Sequence, residues 1–208
     1  MASDDRYSKA LTVRAATRFL DHLVAQDAVE PIETEAITDI YDQVLADWRA
    51  EFDDPDYTVE IGGPQLALSA LSETNQYLSF DTEGPSPWDE GYRKRIPELV
   101  ALTDGLLDGV SFTVEPTAYP RTDDGPRLVA KTDDWECTAR MRDFGDYCDV
   151  GGLMDFMNAV VGRYDTDKRF VTPQIPRDQT VWIFFAQPDR TRELESAFET
   201  AFENERPS

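Results

Sequence analysis

Acidic side chains crowd one stretch of the sequence, where they could act together on a divalent cation. Asp143, Asp146 and Asp149 surround the predicted start of a helix, and further acids precede them from residue 133 onward. Clustered carboxylate oxygens are ligands that Mg²⁺ and Mn²⁺ favour. The stretch lacks the spacing and the glycine of a calcium-binding loop, and a chain with 26 aspartates forms such stretches without function. The carboxylates of residues 133–149 therefore support a metal site only as an alternative.

Four basic residues are predicted to share one face of a β-sheet. Apolar and polar residues alternate along three predicted strands with short connections, and Arg127, Lys131, Arg140 and Arg142 all have the outward parity. Acids on the same strands could neutralise these bases locally, or the bases could form a docking surface for an acidic protein. A nucleic acid partner is disfavoured because no exposed aromatic residues are interleaved with the bases. We predict that these four residues bind a protein partner.

Signatures of common enzymes are missing from the sequence. It has no phosphate-binding loop and no GxGxxG, GxSxG or HExxH motif. His22 is the single histidine and shares a helical face with Arg14 and Arg18, so we expect a solvated face rather than histidine-based catalysis. Cys137 and Cys148 match no CxxC spacing, and we predict that both are reduced core residues. These features favour a protein without a cofactor and without enzymatic activity.

The charge of the chain is far from neutral. Its 208 residues carry 42 acidic and 20 basic side chains, which gives a formal net charge of −22. Self-repulsion destabilises such a fold in dilute salt, whereas the screening length falls to roughly 3 Å near 1 M salt. Aspartate outnumbers glutamate 26 to 16, and arginine outnumbers lysine 16 to 4. The composition is typical of a halophilic protein, which works in a cell with high internal salt.

The hydrophobic content predicts a folded protein without a membrane-spanning segment. Hydrophobic residues make up 40% of the chain and aromatic residues 11%, which excludes a disordered chain. The longest apolar run, Val181–Ala186, is too short to cross a bilayer. The N-terminal residues do not combine a basic segment with an apolar one, as a secretory signal would. We therefore expect a cytoplasmic protein that has no membrane partner.

Helical periodicity dominates the first quarter of the sequence. Apolar residues recur at helical spacing over residues 8–26 and 34–52, which predicts an αα-hairpin. We predict that residues 1–56 form this hairpin domain, packed on an α+β domain of residues 57–208. The pattern of residues 64–95 fits a helix and a strand equally well and is left open.

The C-terminal half alternates with period two and predicts an α+β fold. Its element order is β-β-β-α-β-β-α, which favours an antiparallel sheet packed by helices. A helix over residues 95–107 is predicted before the first strand, and a strand over residues 180–186 is apolar on both faces and therefore central. Asp149 is the expected N-cap of the middle helix. Gly151 and Gly152 are expected to let that helix pack closely against the sheet.

Two functional hypotheses of different classes follow. The first is a non-enzymatic protein-binding or regulatory protein of the inhibitor or immunity type, which uses the basic sheet face or the N-terminal hairpin. The second is a divalent-metal-dependent enzyme in which Asp143, Asp146 and Asp149 hold Mg²⁺ or Mn²⁺. Inhibitor and immunity proteins often adopt a small α+β layout, but a shared layout is only an analogy.

Overall fold

A computed structural model describes most of the chain. The described residues are 9–25, 28–53, 61–84, 88–116, 124–174 and 179–203. They form a mixed α+β protein, as the sequence predicts. The chain divides into two compact units, the first made of residues 1–76 and 189–208 and the second of residues 77–188. The predicted boundary between residues 56 and 57 lies outside the described residues.

Helices and strands alternate irregularly along the described residues. The helices are α1 (Lys9–Ala25), α2 (Thr34–Glu51), α3 (Gly63–Glu73), α4 (Asp89–Ala101), α5 (Val150–Val161) and α6 (Thr191–Glu203). The strands are β1 (Leu78–Asp81), β2 (Ser111–Glu115), β3 (Asp124–Lys131), β4 (Glu136–Arg142), β5 (Arg169–Val171) and β6 (Thr180–Ala186). None of the described helices is long and apolar enough to span a membrane.

The first unit is helical, and α1 is in contact with α2, α3 and α6. The apolar stripe of α1 is buried, since Ala16, Leu20 and Leu23 are at most 2% exposed, and Ile37 of α2 is fully buried. The predicted N-terminal helix pair is thus confirmed, and it forms its core together with two further helices.

A close approach fixes where α3 begins. A side chain at Gly63 would place its Cβ only 2.5 Å from the Cβ of Ala15, so α3 starts against α1 only because Gly63 has no side chain. Nearby, the buried Thr12 hydroxyl donates a hydrogen bond of 3.2 Å to the carbonyl of Ile61. The chain therefore enters α3 along the surface of α1.

The region that the sequence leaves open contains α3, β1 and most of α4. The predicted helix over residues 95–107 is wrong in its bounds, because α4 spans Asp89–Ala101. Two acids in its first turn, Asp89 and Glu90, favour the earlier start because they lie at the positive end of the helix dipole. Asp104 and Gly105 have positive φ angles of 47° and 81°, so a helix cannot continue through them.

The described residues of the second unit form two antiparallel sheets rather than one. In the sheet ordered β1-β6-β5, β6 lies in the centre, which confirms its predicted position. Three consecutive residues of β6, Trp182, Ile183 and Phe184, are buried, so both faces of the strand are covered. We call this the buried sheet.

The other sheet is the predicted three-stranded meander, ordered β2-β3-β4. Its inner face contributes the buried residues Leu128, Ala130 and Met141 to a core that also contains Leu153 and Phe156 of α5. The outer residues of β2 and β4 are exposed, as their alternating burial shows. We call this the meander sheet.

A short segment after β4 connects the two sheets. The Cys148 amide donates to the carbonyl of Thr82, and the Gly84 amide donates to the carbonyl of Asp146, both at 2.8 Å. The Trp88 indole also donates to the Asp146 carbonyl, at 3.1 Å. Residues 144–148 therefore fix the end of β4 relative to the end of β1.

Candidate functional site

The four predicted basic residues lie on the same face of the meander sheet. In the strand register Arg127 lies opposite Glu115 on β2 and opposite Arg140 on β4. Lys131 lies opposite Glu136. Because side chains alternate along a strand, these pairs place Arg127, Lys131 and Arg140 on the outer face, and Arg142 joins them by its parity with Arg140. We call Arg127, Lys131, Arg140 and Arg142 the basic face.

Among the described residues, ion pairs neutralise only one member of the basic face. The Arg127 guanidinium lies 3.0 Å from Glu115 Oε2 and 3.8 Å from Glu136 Oε1. Lys131, Arg140 and Arg142 are exposed and have no ion pair among the residues that the structure describes. Local neutralisation thus accounts for Arg127 and leaves three bases available to a partner.

A groove of about 440 Å³ runs between β4 and α5. Residues 137–142 form one wall, and Phe156, Ala159 and Asp155 of α5 contribute to the other. Sequence reasoning missed this groove, because alternation predicts which face a side chain takes but not which strand is left at the edge of a sheet. The groove places α5 beside the bases of β4.

The Asp149 carboxylate is engaged by the backbone on both sides. Its Oδ1 accepts a hydrogen bond from the Gly152 amide and its Oδ2 accepts one from the Arg142 amide, each at 2.9 Å. Asp149 is therefore the N-cap of α5, as predicted, and it also holds the last residue of β4. Its backbone amide donates to the Tyr92 hydroxyl at 2.9 Å.

The same geometry lends no support to the metal alternative. The described residues contain no group of three or more His, Cys, Asp or Glu side chains placed to hold a metal ion. Both oxygens of Asp149 already accept backbone hydrogen bonds, and Asp143 accepts one from the Gly145 amide. Asp146 is exposed in the connecting segment and contributes its backbone carbonyl to the fold.

The lack of a side chain at Gly152 makes room for the helix cap and not for the sheet, as the sequence suggests it would. A Cβ on Gly152 would lie 2.5 Å from Oδ2 of Asp149, so the residue is small to admit the capping carboxylate. Gly151 is exposed, and the nearest atom to its Cβ would also belong to Asp149, at 3.9 Å. The expectation that these glycines permit close packing of the helix on the sheet is wrong, because their near neighbour is the cap.

The phenol of Tyr92 and the thiol of Cys148 are both buried next to Asp149. Burial raises the pKa of Cys148 to about 11, and burial also raises the pKa of Tyr92. A thiol that remains protonated at neutral pH is a poor nucleophile. Cys137 and Cys148 are both free thiols, as predicted. Cys148 is buried and Cys137 partly buried, so the pair is structural in character.

The remaining predicted feature, His22, lies on an exposed face of α1. Arg14 and Arg18 are exposed on the same helix, which confirms the predicted solvated face.

Comparisons with protein-family models, with curated proteins and with solved structures find no match to this chain. The case for function therefore depends on the geometry of the second unit.

Proposed function

We propose that the protein is a non-enzymatic protein-binding or regulatory protein, of the inhibitor or immunity type, that binds an acidic partner through the basic face. The observation that carries the proposal is that Lys131, Arg140 and Arg142 share an exposed sheet face without an ion pair among the described residues. In a chain with a net charge of −22, internal acids are plentiful. Three exposed bases that form no ion pair with the described acids are therefore better explained by an external partner.

Electrostatics of the face supports this proposal. Arg127 and Arg140 lie directly opposite each other, and like charges at such positions destabilise an antiparallel pair. The two acids that contact Arg127 lie away from Arg140. Glu115 is on β2, and Glu136 is at the opposite end of β4. An acidic group of the partner beside Arg140 would relieve this repulsion and gain a charge-assisted hydrogen bond.

The preference for arginine fits binding in concentrated salt. Long-range attraction between charges is lost when the screening length is roughly 3 Å. An arginine retains value there because its planar guanidinium forms two directed hydrogen bonds with one carboxylate. We therefore propose that the protein works in a cytoplasm with molar salt, where short-range hydrogen bonds bind the partner and long-range electrostatic attraction does not.

Removal of the three unpaired bases tests the binding proposal. We expect the variant Lys131→Gln, Arg140→Gln, Arg142→Gln to lose at least tenfold in the yield of cross-linked partner recovered in about 2 M KCl, since each base contributes a charge-assisted contact. The matched control is Arg14→Gln, Lys94→Gln, Arg192→Gln, which removes three exposed bases elsewhere. Equal capture of every partner by both triple variants would contradict the proposal.

Dependence of the fold on salt tests the halophilic part of the proposal. Residues 1–76 and 189–208 carry 22 acidic and 8 basic side chains, whereas residues 77–188 carry 20 and 12. Dialysis from about 2 M to about 0.05 M KCl lengthens the screening distance several-fold. Because the helical first unit has the larger excess of acids, we expect the helical circular dichroism signal to be lost before the signal of the sheets. Thermal stability that does not change over this range would contradict a halophilic fold.

A further inference from the structure

Within the described part of the chain, backbone groups along the free edge of β4 are unpaired in a regular array. The Thr132 amide donates to the Trp135 carbonyl at 3.0 Å and closes the β3–β4 hairpin. In an antiparallel pair, hydrogen-bonded and non-hydrogen-bonded positions alternate, so the next pair, Lys131 and Glu136, is non-hydrogen-bonded. The Arg142 amide has the same parity as Glu136 and does point away from β3, because it donates to Asp149.

Besides Arg142, three residues of β4 turn their backbone amides and carbonyls away from β3. These residues are Glu136, Thr138 and Arg140, and no hydrogen bond to their backbone groups is recorded within the described ranges outside the β3–β4 ladder. The meander sheet ends at β4 in the described residues. An exposed edge of this kind is a template for another strand.

The groove beside this edge is closed at one end. Its volume is about 440 Å³, and α5 forms the wall across from β4. The bond between the Arg142 amide and Asp149 closes the end near the start of α5. From Glu136 to Arg140 the open edge is about 14 Å long at the usual rise of a strand, which corresponds to about five residues.

We infer that the β4 edge accepts an extended acidic segment of the partner protein as a fourth strand of the meander sheet. The inference rests on the proposed function and adds the mode of recognition. Main-chain hydrogen bonds would supply affinity, and side chains at alternate positions would supply specificity.

Charge and burial on the two sides of the edge determine the pattern of the bound segment. Residues of the new strand that lie opposite Thr138 and Arg140 share the outer face, where Arg140 and Arg142 favour carboxylates. Residues between them point into the groove, towards Ala139 and Phe156, where apolar side chains fit. Asp155 also lines the groove and disfavours an acid pointing inwards. The segment therefore alternates acidic and apolar residues.

A synthetic peptide tests this pattern directly. The probe is the acetylated and amidated heptapeptide Asp-Val-Asp-Val-Asp-Val-Asp, titrated into the ¹⁵N-labelled full chain in about 1 M KCl. We expect saturable binding and at least tenfold slower hydrogen exchange at the amides of Glu136, Thr138 and Arg140. The Cys137 and Ala139 amides, which point towards β3, serve as the internal control and keep their exchange rates.

Matched variants separate backbone pairing from charge. Thr138→Pro removes one outward amide and should weaken peptide binding at least tenfold, whereas Thr138→Val keeps the amide and should bind normally. If Thr138→Pro also disturbs the exchange of Cys137 and Ala139, peptide chemistry replaces it. N-methylation of one alternate set of peptide amides should then abolish binding, and methylation of the other set should be tolerated.

The outcomes distinguish the edge from the basic face. Binding that perturbs the arginine side chains but protects no outward amide, or that tolerates both sets of N-methyl groups, overturns strand addition and leaves the basic face as the binding surface. Absence of saturable binding up to about 2 mM peptide overturns the inference, while partner capture by the arginine variants still tests the proposed function. Sedimentation without peptide that reveals a dimer abolished by Thr138→Pro would identify a second copy as the occupant and also overturn it.

Discussion

The two sheets of the second unit each have three strands in antiparallel pairing, yet they differ in how their faces are covered. In the buried sheet, three consecutive residues of β6 are shielded from solvent. In the meander sheet, only alternate residues of β4 are shielded, and the others, of which all but Thr138 are charged, are exposed to solvent. A sheet covered on both faces offers no free face to a partner, whereas a sheet with one open face does.

The difference extends to the edges of the sheets. β6 is hydrogen bonded to β1 on one side and to β5 on the other, so its backbone groups are used within the fold. β4 is paired on one side only among the described strands. We therefore expect the buried sheet to contribute most to stability, and we propose recognition for the meander sheet. Each expectation can be tested by substitution.

The largest effect is expected from a cavity in the buried sheet. Phe184→Ala removes a fully buried ring next to Tyr77 and should lower the free energy of unfolding by roughly 3–5 kcal/mol. Phe144→Ala is the matched control, because this ring is 52% exposed and its loss should change stability little. Denaturant unfolding in about 2 M KCl measures both values. Equal losses for the two variants would break the assignment of stability to the buried sheet.

The segment that connects the two sheets should make stability depend on alkaline pH. The pKa of Cys148 is raised in the folded state, so its contribution is fully present below the ordinary thiol pKa and is lost as the pH rises through about 11. The free energy of unfolding should fall by up to about 3 kcal/mol between pH 9 and pH 11. Cys148→Ala should reduce this decline without abolishing it, because the buried Tyr92 phenol also has a raised pKa, and Cys137→Ala should leave it unchanged. Identical pH profiles for the two variants would show that the thiol is not the cause.

The link between β4 and α5 should have an intermediate effect. Asp149→Ala removes an N-cap and leaves the Arg142 and Gly152 amides without their acceptor, so we expect a loss of about 2 kcal/mol. Asp149→Asn retains one acceptor oxygen and should lose less. Thermal unfolding compares the two variants with the parent protein. If alanine and asparagine are equally tolerated, the carboxylate does not hold the end of the meander sheet.

The smallest effect on stability is expected from the basic face. The variant Lys131→Gln, Arg140→Gln, Arg142→Gln should change the free energy of unfolding by less than about 1 kcal/mol, because exposed charges contribute little to packing. Removal of the repulsion between Arg140 and Arg127 acts in the stabilising direction. Denaturant unfolding measures this change, and the Phe184→Ala variant measured in parallel shows the size of a large loss of stability. Global unfolding of the triple variant would show that these side chains are structural.

The sequence predicts well what depends on local alternation. The parity of Arg127, Lys131, Arg140 and Arg142 follows from period two, and their register confirms it. The central position of β6 follows from its apolar residues on both faces. These features depend on neighbours in the chain, so a linear pattern contains them.

Features that depend on distant partners are not contained in the local pattern. Whether later strands extend the meander is decided by long-range pairing, so the free edge of β4 and its groove could not be predicted. The apolar spacing of α3 fits a helix and a strand, although Pro64 in its first turn is a helix-start signal. The relation of Gly152 to the Asp149 carboxylate requires the rotamer of that side chain, which spacing does not specify.

The double engagement of Asp149 has a consequence for how the protein opens. One carboxylate holds the Arg142 amide at the end of a strand and the Gly152 amide at the start of a helix. Fraying of the strand end leaves Oδ2 of the buried Asp149 without its donor, and fraying of the helix start displaces the acceptor of the Arg142 amide, so the two ends are expected to open together. Slow fluctuations of the strand end would then be transmitted to the helix without any movement of the core between them.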